Sequence, residues 1–137
     1  MLIVSACLAG INCRYDGLNN YNPRIAELVR NGEALPVCPE QLGGLSTPRL
    51  AAEIQNGKVI NTAGKDVSEY FTRGAFETLK IAKLINCRTA ILKQRSPSCG
   101  YGEIYDGTHS GKTLIGNGIT ALLLLDNGIN LKTEDDF

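Results

Sequence analysis

A chain of 137 residues is near the usual size of one domain and long enough to bury a core without staples, so residues 1–137 are read as a single domain. Lys plus Arg and Asp plus Glu balance at 14 each, which leaves no charge excess to hold nucleic acid or an anionic membrane. The apolar opening Met1–Cys7 has no basic flank and is too short for a secretory signal, and the run Ile119–Leu125 falls well short of the ~20 residues that cross a bilayer, so the cytosol is the expected location.

In chain order, Leu2–Val4 reads as an apolar strand. Pro23 stands where a helix begins, Ile25, Leu28 and Val29 mark its inner face, and Asn31-Gly32 closes it. Ala34–Val37 is a second buried strand. Within Ala51–Asn61 two short stretches flank Asn56-Gly57, the pair favoured in type I′ turns, which predicts a small hairpin. Asp66 and Glu69 are spaced as a capping box, and Val67, Phe71, Ala75, Leu79 and Ala82 recur along one face, so the longest helix is expected over Val67–Leu84. Thr89–Leu92 is a third strand, Thr120–Leu125 a buried helix ended by Asn127-Gly128, and Ile129–Lys132 a last strand. Strands alternating with helices predict an α/β fold: an open, mainly parallel sheet with helices on both faces, Rossmann-like and doubly wound, plus the small hairpin.

In such sheets ligands bind beyond the carboxyl ends of the strands, where the strand order switches. Cys7 follows the first strand, Cys38 the second, and Cys99 the third, within Ser96-Pro97-Ser98-Cys99-Gly100. All three should open onto one edge. Free cysteines that merely fill space belong in strand and helix interiors, and Cys87, at the end of the longest helix, is read as one of these. Cys13 shares the loop of Cys7 and is held as a reserve ligand or a neighbour of the ligands. The five cysteines exceed what packing requires, and their odd number and a reducing compartment argue against disulfides. With no CxxC pair and His109 as the sole histidine, zinc-finger and thioredoxin-like spacings are absent. Three thiolates without histidine suit a soft metal or an iron–sulfur cluster, and a cluster with three protein ligands keeps one iron open as a Lewis acid.

Glu40, two residues beyond Cys38, is either aimed into the same pocket for acid–base work or is a first-turn helix residue or a solvated charge. Ser98 either hydrogen-bonds a substrate or closes a serine turn, and Asp16 and Lys93, with Arg14 and Arg95, offer polar contacts. The stretch Gly107–Thr113 resembles a phosphate-binding loop but is one residue short and follows no convincing strand. His109, within it, reads as a surface residue. With little else to activate a thiol, a cysteine hydrolase is disfavoured.

The segments Ser5–Gly17, Val37–Gly44, Thr47-Pro48-Arg49, Ile91–Gly100 and Ile104–Lys112 together resemble, end to end, a bacterial family whose characterised members are thiouracil desulfidases. The resemblance implies a [4Fe-4S] cluster held by Cys7, Cys38 and Cys99, its fourth iron free to take sulfur from the thiocarbonyl of a thionated nucleobase such as 2-thiouracil. In that scheme Glu40 and Ser98 are catalytic, Asp16 and Lys93 bind the substrate, and the only partner is a small sulfur-containing molecule. The competing class is a non-catalytic iron–sulfur or zinc-binding module that senses redox state or passes sulfur on, which needs no substrate pocket.

Overall fold

A computed structural model describes Met1–Phe137. Strand β1 (Leu2–Ser5) runs into a 3-10 turn (Ala6–Ala9), and helix α1 (Pro23–Arg30) leads to β2 (Ala34–Val37). A short helix α2 (Pro39–Leu42) precedes the hairpin β3 (Ala52–Gln55) and β4 (Lys58–Asn61). The long helix α3 (Ser68–Leu84), β5 (Thr89–Leu92), a second hairpin β6 (Glu103–Tyr105) and β7 (Thr113–Ile115), α4 (Ile119–Asp126) and β8 (Asn130–Thr133) complete the chain, with a 3-10 turn at Glu134–Asp136. No helix is long and apolar enough to cross a membrane.

Four strands form one parallel sheet in the order β2-β1-β5-β8. The alternation of side chains along a strand sends Ile3, Ala90 and Leu92 to one face, where Leu79 and Ala82 of α3 and Ala121 and Leu124 of α4 cover them. Val4, Ala34 and Ile91 point to the other face, onto Ile25, Leu28 and Val29 of α1. The mixed α/β architecture read from the sequence is therefore present, with helices on both faces. Because the chain steps from β1 outward to β2 and then back past β1 to β5, the strand order reverses between β1 and β5.

Local chemistry accounts for the element boundaries. Pro23 occupies the first turn of α1, and the Asn22 side chain accepts the N–H groups of Arg24 and Ile25 at 3.0 and 3.4 Å. Asn56 and Gly57 have φ of 51° and 78°, the paired positive values that a type I′ turn demands. The expected capping box at Asp66 is absent: α3 starts at Ser68, and the Asp66 carboxylate accepts the Ser68 N–H at 2.9 Å in a local turn while Glu69 pairs with Arg73. Ser68 Oγ in turn accepts the N–H of Val59 at 2.8 Å, which ties the first hairpin to α3 beside the small core of Val59, Val67 and Phe71.

The second hairpin leaves no mark in the sequence pattern. Its strands have three residues each, and every residue of β7 is exposed, so no apolar alternation announces it. It absorbs the stretch that resembles a phosphate-binding loop, which here joins two antiparallel strands rather than a strand to a helix.

Helix α2 lies against α3 at a distance set by two glycines. A Cβ at Gly74 would stand 1.9 Å from the Pro39 carbonyl oxygen, and one at Gly43 would stand 1.9 Å from that of Tyr70. Neither neighbour is a movable side chain, so any larger residue forces the helices apart. Gly74→Ala is expected to lower stability by about 3 kcal/mol, the upper part of the overpacking range, measured as a shift of the urea midpoint. An unchanged midpoint would mean that α2 is free to move.

Candidate functional site

Strands β2, β1 and β5 are neighbours, so the loops leaving their carboxyl ends meet. The Ser5 hydroxyl, at the end of β1, accepts the backbone N–H of Lys93 at 2.9 Å and pins it beside the end of β5. Above this edge opens a cavity of about 420 Å³. Cys7 reaches its wall from the 3-10 turn after β1, Cys38 from the position capping α2 after β2, and Cys99 from the loop after β5. Cys13 joins them, buried to 2% exposure. All five cysteines of the chain are free thiols, and Cys87 is apart, packed in the main core as expected of filler.

The thiols differ in character. Cys13 lies beside Cys38 and Cys7, and this proximity raises its own pKa and lowers those of its two neighbours, while Cys38 Sγ is 3.9 Å from the Cys13 carbonyl, to which it can donate. Cys38, which also accepts the N–H of Gln41, is brought down to about 7, and Cys7 is helped further by the Asn20 amide and by Lys93. Cys99 is 4% exposed and burial pushes its thiol up, against a hydrogen bond from Ser5. No group of three His, Cys, Asp or Glu side chains converges as ligands of a single ion do. The cysteines are spread around the cavity instead.

Glu40 lies in the first turn of α2 and also lines the cavity. Its carboxylate is 3.2 Å from the Arg49 guanidinium, which is 8% exposed. Burial raises the Glu40 pKa by more than Arg49 lowers it. Arg49 donates as well to the Cys13 carbonyl at 2.9 Å, to Thr47 Oγ1 at 2.9 Å and to the Ser46 carbonyl at 3.2 Å, so one side chain ties its own loop and the Cys13 loop to α2 at the cavity. Arg49 closes the Thr47-Pro48-Arg49 segment, but its role is not legible there, because a lone arginine in a polar loop carries no sign that it will be buried.

The remaining candidates separate. Lys93 lines the cavity, with its ammonium 2.8 Å from Glu134. Ser98 does not reach the wall: it is fully buried and shares a hydrogen bond with the Thr120 hydroxyl at 2.9 Å, which fastens the cysteine loop to α4. The serine in the wall is Ser96, whose hydroxyl accepts the N–H groups of Ser98 and Cys99 at 3.0 and 3.1 Å and so shapes the turn that presents Cys99. Asp16 is outside the wall as well, since its carboxylate turns to Arg14 at 2.6 Å and to the Leu18 N–H. A two-residue offset decides which serine faces a cavity, and that depends on turn geometry rather than on residue type. His109, read as a surface residue, has an exposed backbone, yet its ring lies at the cavity beside Glu53.

An open parallel sheet whose carboxyl edge carries a cavity walled by four cysteines and a largely buried glutamate defines a small α/β protein with its candidate site at the strand ends. The chain belongs to the 2-thiouracil desulfurase family, whose profile matches residues 2–136. It is 45% identical over 146 residues to the uncharacterized protein YbbK of Bacillus subtilis (strain 168), an alignment covering 99% of this chain and 97% of YbbK. Among solved structures it is similar to TudS, described as a [4Fe-4S]-dependent thiouracil desulfidase, with a TM-score of 0.94, 43% identity, and coverage of 99% of this chain and 91% of TudS.

Proposed function

We propose that this protein is an iron–sulfur-dependent desulfidase, a hydrolase of the carbon–sulfur bond in a thionated nucleobase such as 2-thiouracil. The observation that carries the reading is the meeting of Cys7, Cys38 and Cys99 on one cavity with Glu40, in a chain 43% identical to a [4Fe-4S]-dependent thiouracil desulfidase. The donor set fits the group: thiolates are the ligands iron–sulfur clusters take, and a cluster with its own sulfides needs ligands spaced around a cavity rather than closed on one point. Cys7, Cys38 and Cys99 are the three ligands of this scheme, and a [4Fe-4S] cluster so held supplies one iron free to act as a Lewis acid toward the thiocarbonyl sulfur.

The chain's own groups do the rest. Cys13, beside Cys7 and Cys38, lowers the pKa of both thiols, which favours their thiolate form. Glu40 takes a proton from the water that adds to the thiocarbonyl carbon and returns it as the carbon–sulfur bond breaks, and Arg49 fixes the carboxylate in place. Lys93 adds positive charge at the wall where the sulfur departs as hydrosulfide. Water provides the oxygen of the product and the protons of the leaving sulfur, so the reaction is hydrolysis with no net redox change. Five free thiols, four of them at the cavity, suit a reducing compartment such as the cytosol.

The test is sulfide release by protein reconstituted anaerobically with iron and sulfide. Sulfide and uracil should appear in equal amounts only when 2-thiouracil is added. A bound cluster with no release from any thionated pyrimidine would favour the non-catalytic module instead.

A further inference from the structure

The two hairpins meet at a joint that core packing does not explain. Strand β7 is exposed throughout, with Ile115 at 94%, so the loop at 106–112 between β6 and β7 gains little anchorage from that side. Polar groups of β3 hold it instead. Glu53 Oε1 accepts the backbone N–H of Gly107 at 3.0 Å and that of His109 at 3.1 Å, and Gln55 Nε2 donates to the Gly107 carbonyl at 3.0 Å. The other Glu53 oxygen, Oε2, is 3.6 Å from His109 Nδ1. One carboxylate therefore fixes the backbone of His109, whose φ of 56° lies in the left-handed region uncommon for non-glycine residues, and leaves the ring beside its second oxygen.

Both side chains line the cavity that holds the cysteines, with side-chain exposures of 12% for Glu53 and 27% for His109. The depth of the site is set by Cys13 and Cys99, which are nearly inaccessible, so His109 belongs to the mouth. A flat thioamide ring that sends its sulfur toward the cysteines turns its remaining C=O and N–H groups outward. With Nδ1 facing Glu53, the imidazole has Nε2 left to donate to or accept from that outward edge, according to tautomer.

We infer that His109, positioned by Glu53, recognises the amide edge of the substrate ring remote from its thiocarbonyl. This rests on the desulfidase reading for the ring's orientation and adds to it a specificity-determining contact: Glu53 is a positioning residue, and His109 touches the substrate. The contact selects six-membered thioamide heterocycles with a free C=O or N–H edge over thioamides that lack one.

Uracil carries this edge and no sulfur, so its binding to the iron-loaded protein reads the contact without turnover. In His109→Phe, which keeps the ring's shape, and in His109→Asn, which suits the left-handed backbone but is too short to reach, uracil Kd is expected to rise about tenfold, the usual effect of one lost hydrogen bond. KM for 2-thiouracil should rise in step while kcat stays within about threefold, and iron content should not change. Glu53→Ala should show the same loss, whereas Glu53→Gln, whose amide oxygen still accepts the two N–H groups, should keep most of the affinity. Unchanged uracil affinity in both His109 variants, or no uracil binding by the unsubstituted protein at millimolar concentration, would overturn the inference. If the unsubstituted protein releases no sulfide yet its uracil affinity falls in the His109 variants, the desulfidase reading fails and this contact stands.

Discussion

Cys38→Ala is expected to take up no cluster: after anaerobic incubation with iron and sulfide, bound iron should fall from about four per chain to near zero, and sulfide release from 2-thiouracil should vanish with it. Cys38 is the first residue after β2 and the cap of α2, so its backbone is fixed by the sheet on one side and by the close α2–α3 contact on the other. The neighbouring Cys13 and the Gln41 N–H lower its pKa to about 7 against the burial that raises it, which suits a thiolate ligand. Cys7→Ala and Cys99→Ala should behave alike, because each supplies one of the three proposed ligands. Cys87→Ala is the contrast. Its thiol packs in the core with Sγ 3.2 Å from the Thr89 carbonyl, so its loss should cost about 1 kcal/mol of stability and leave iron content and rate unchanged. Iron binding and full activity in Cys38→Ala would remove Cys38 from the ligand set and the scheme with it.

Glu40→Gln separates proton transfer from cluster binding. The amide is the same size and its oxygen still accepts from Arg49, so the ring of hydrogen bonds that Arg49 makes with Cys13, Ser46 and Thr47 survives. Iron content should therefore match that of the unsubstituted protein. The rate of sulfide release should fall by roughly 10²- to 10⁴-fold, the scale of a single acid–base group. Burial holds the Glu40 pKa above the ordinary carboxylate range, which brings it closer to the pH at which one group can both accept and return a proton. An unchanged rate with normal iron content would assign the proton transfers to another group in the wall.

Periodicity made the main sheet and its long helix legible. The apolar stretches Leu2–Val4, Ala34–Val37 and Thr89–Leu92 are strands β1, β2 and β5 within a residue, and Ile129–Lys132 is β8 shifted by one. The face of Val67, Phe71, Ala75, Leu79 and Ala82 is buried as its spacing implies. From that order alone the carboxyl edge could be located, and Cys7, Cys38 and Cys99 share one cavity there. What stayed hidden depended on geometry finer than a period. Ser96 and Ser98 are the same residue type two positions apart, and only the turn between them sends one to the cavity and the other to Thr120. The second hairpin has too few buried residues to leave a pattern. Without it, Glu53 and His109 are remote in sequence and nothing pairs them.

The central claim is that three cysteines suffice to hold the cluster and that the cluster removes sulfur. The most direct test is the double variant Cys13→Ser and Cys87→Ala, which keeps only Cys7, Cys38 and Cys99 and retains a hydroxyl to donate where Cys13 stood. Reconstituted without oxygen, it should bind about four irons per chain, show broad absorbance in the visible range, and release sulfide from 2-thiouracil with uracil as the co-product. Failure of this folded variant to bind iron, while the unsubstituted protein binds it under the same conditions, would show that a further thiol is required and would contradict the three-cysteine site.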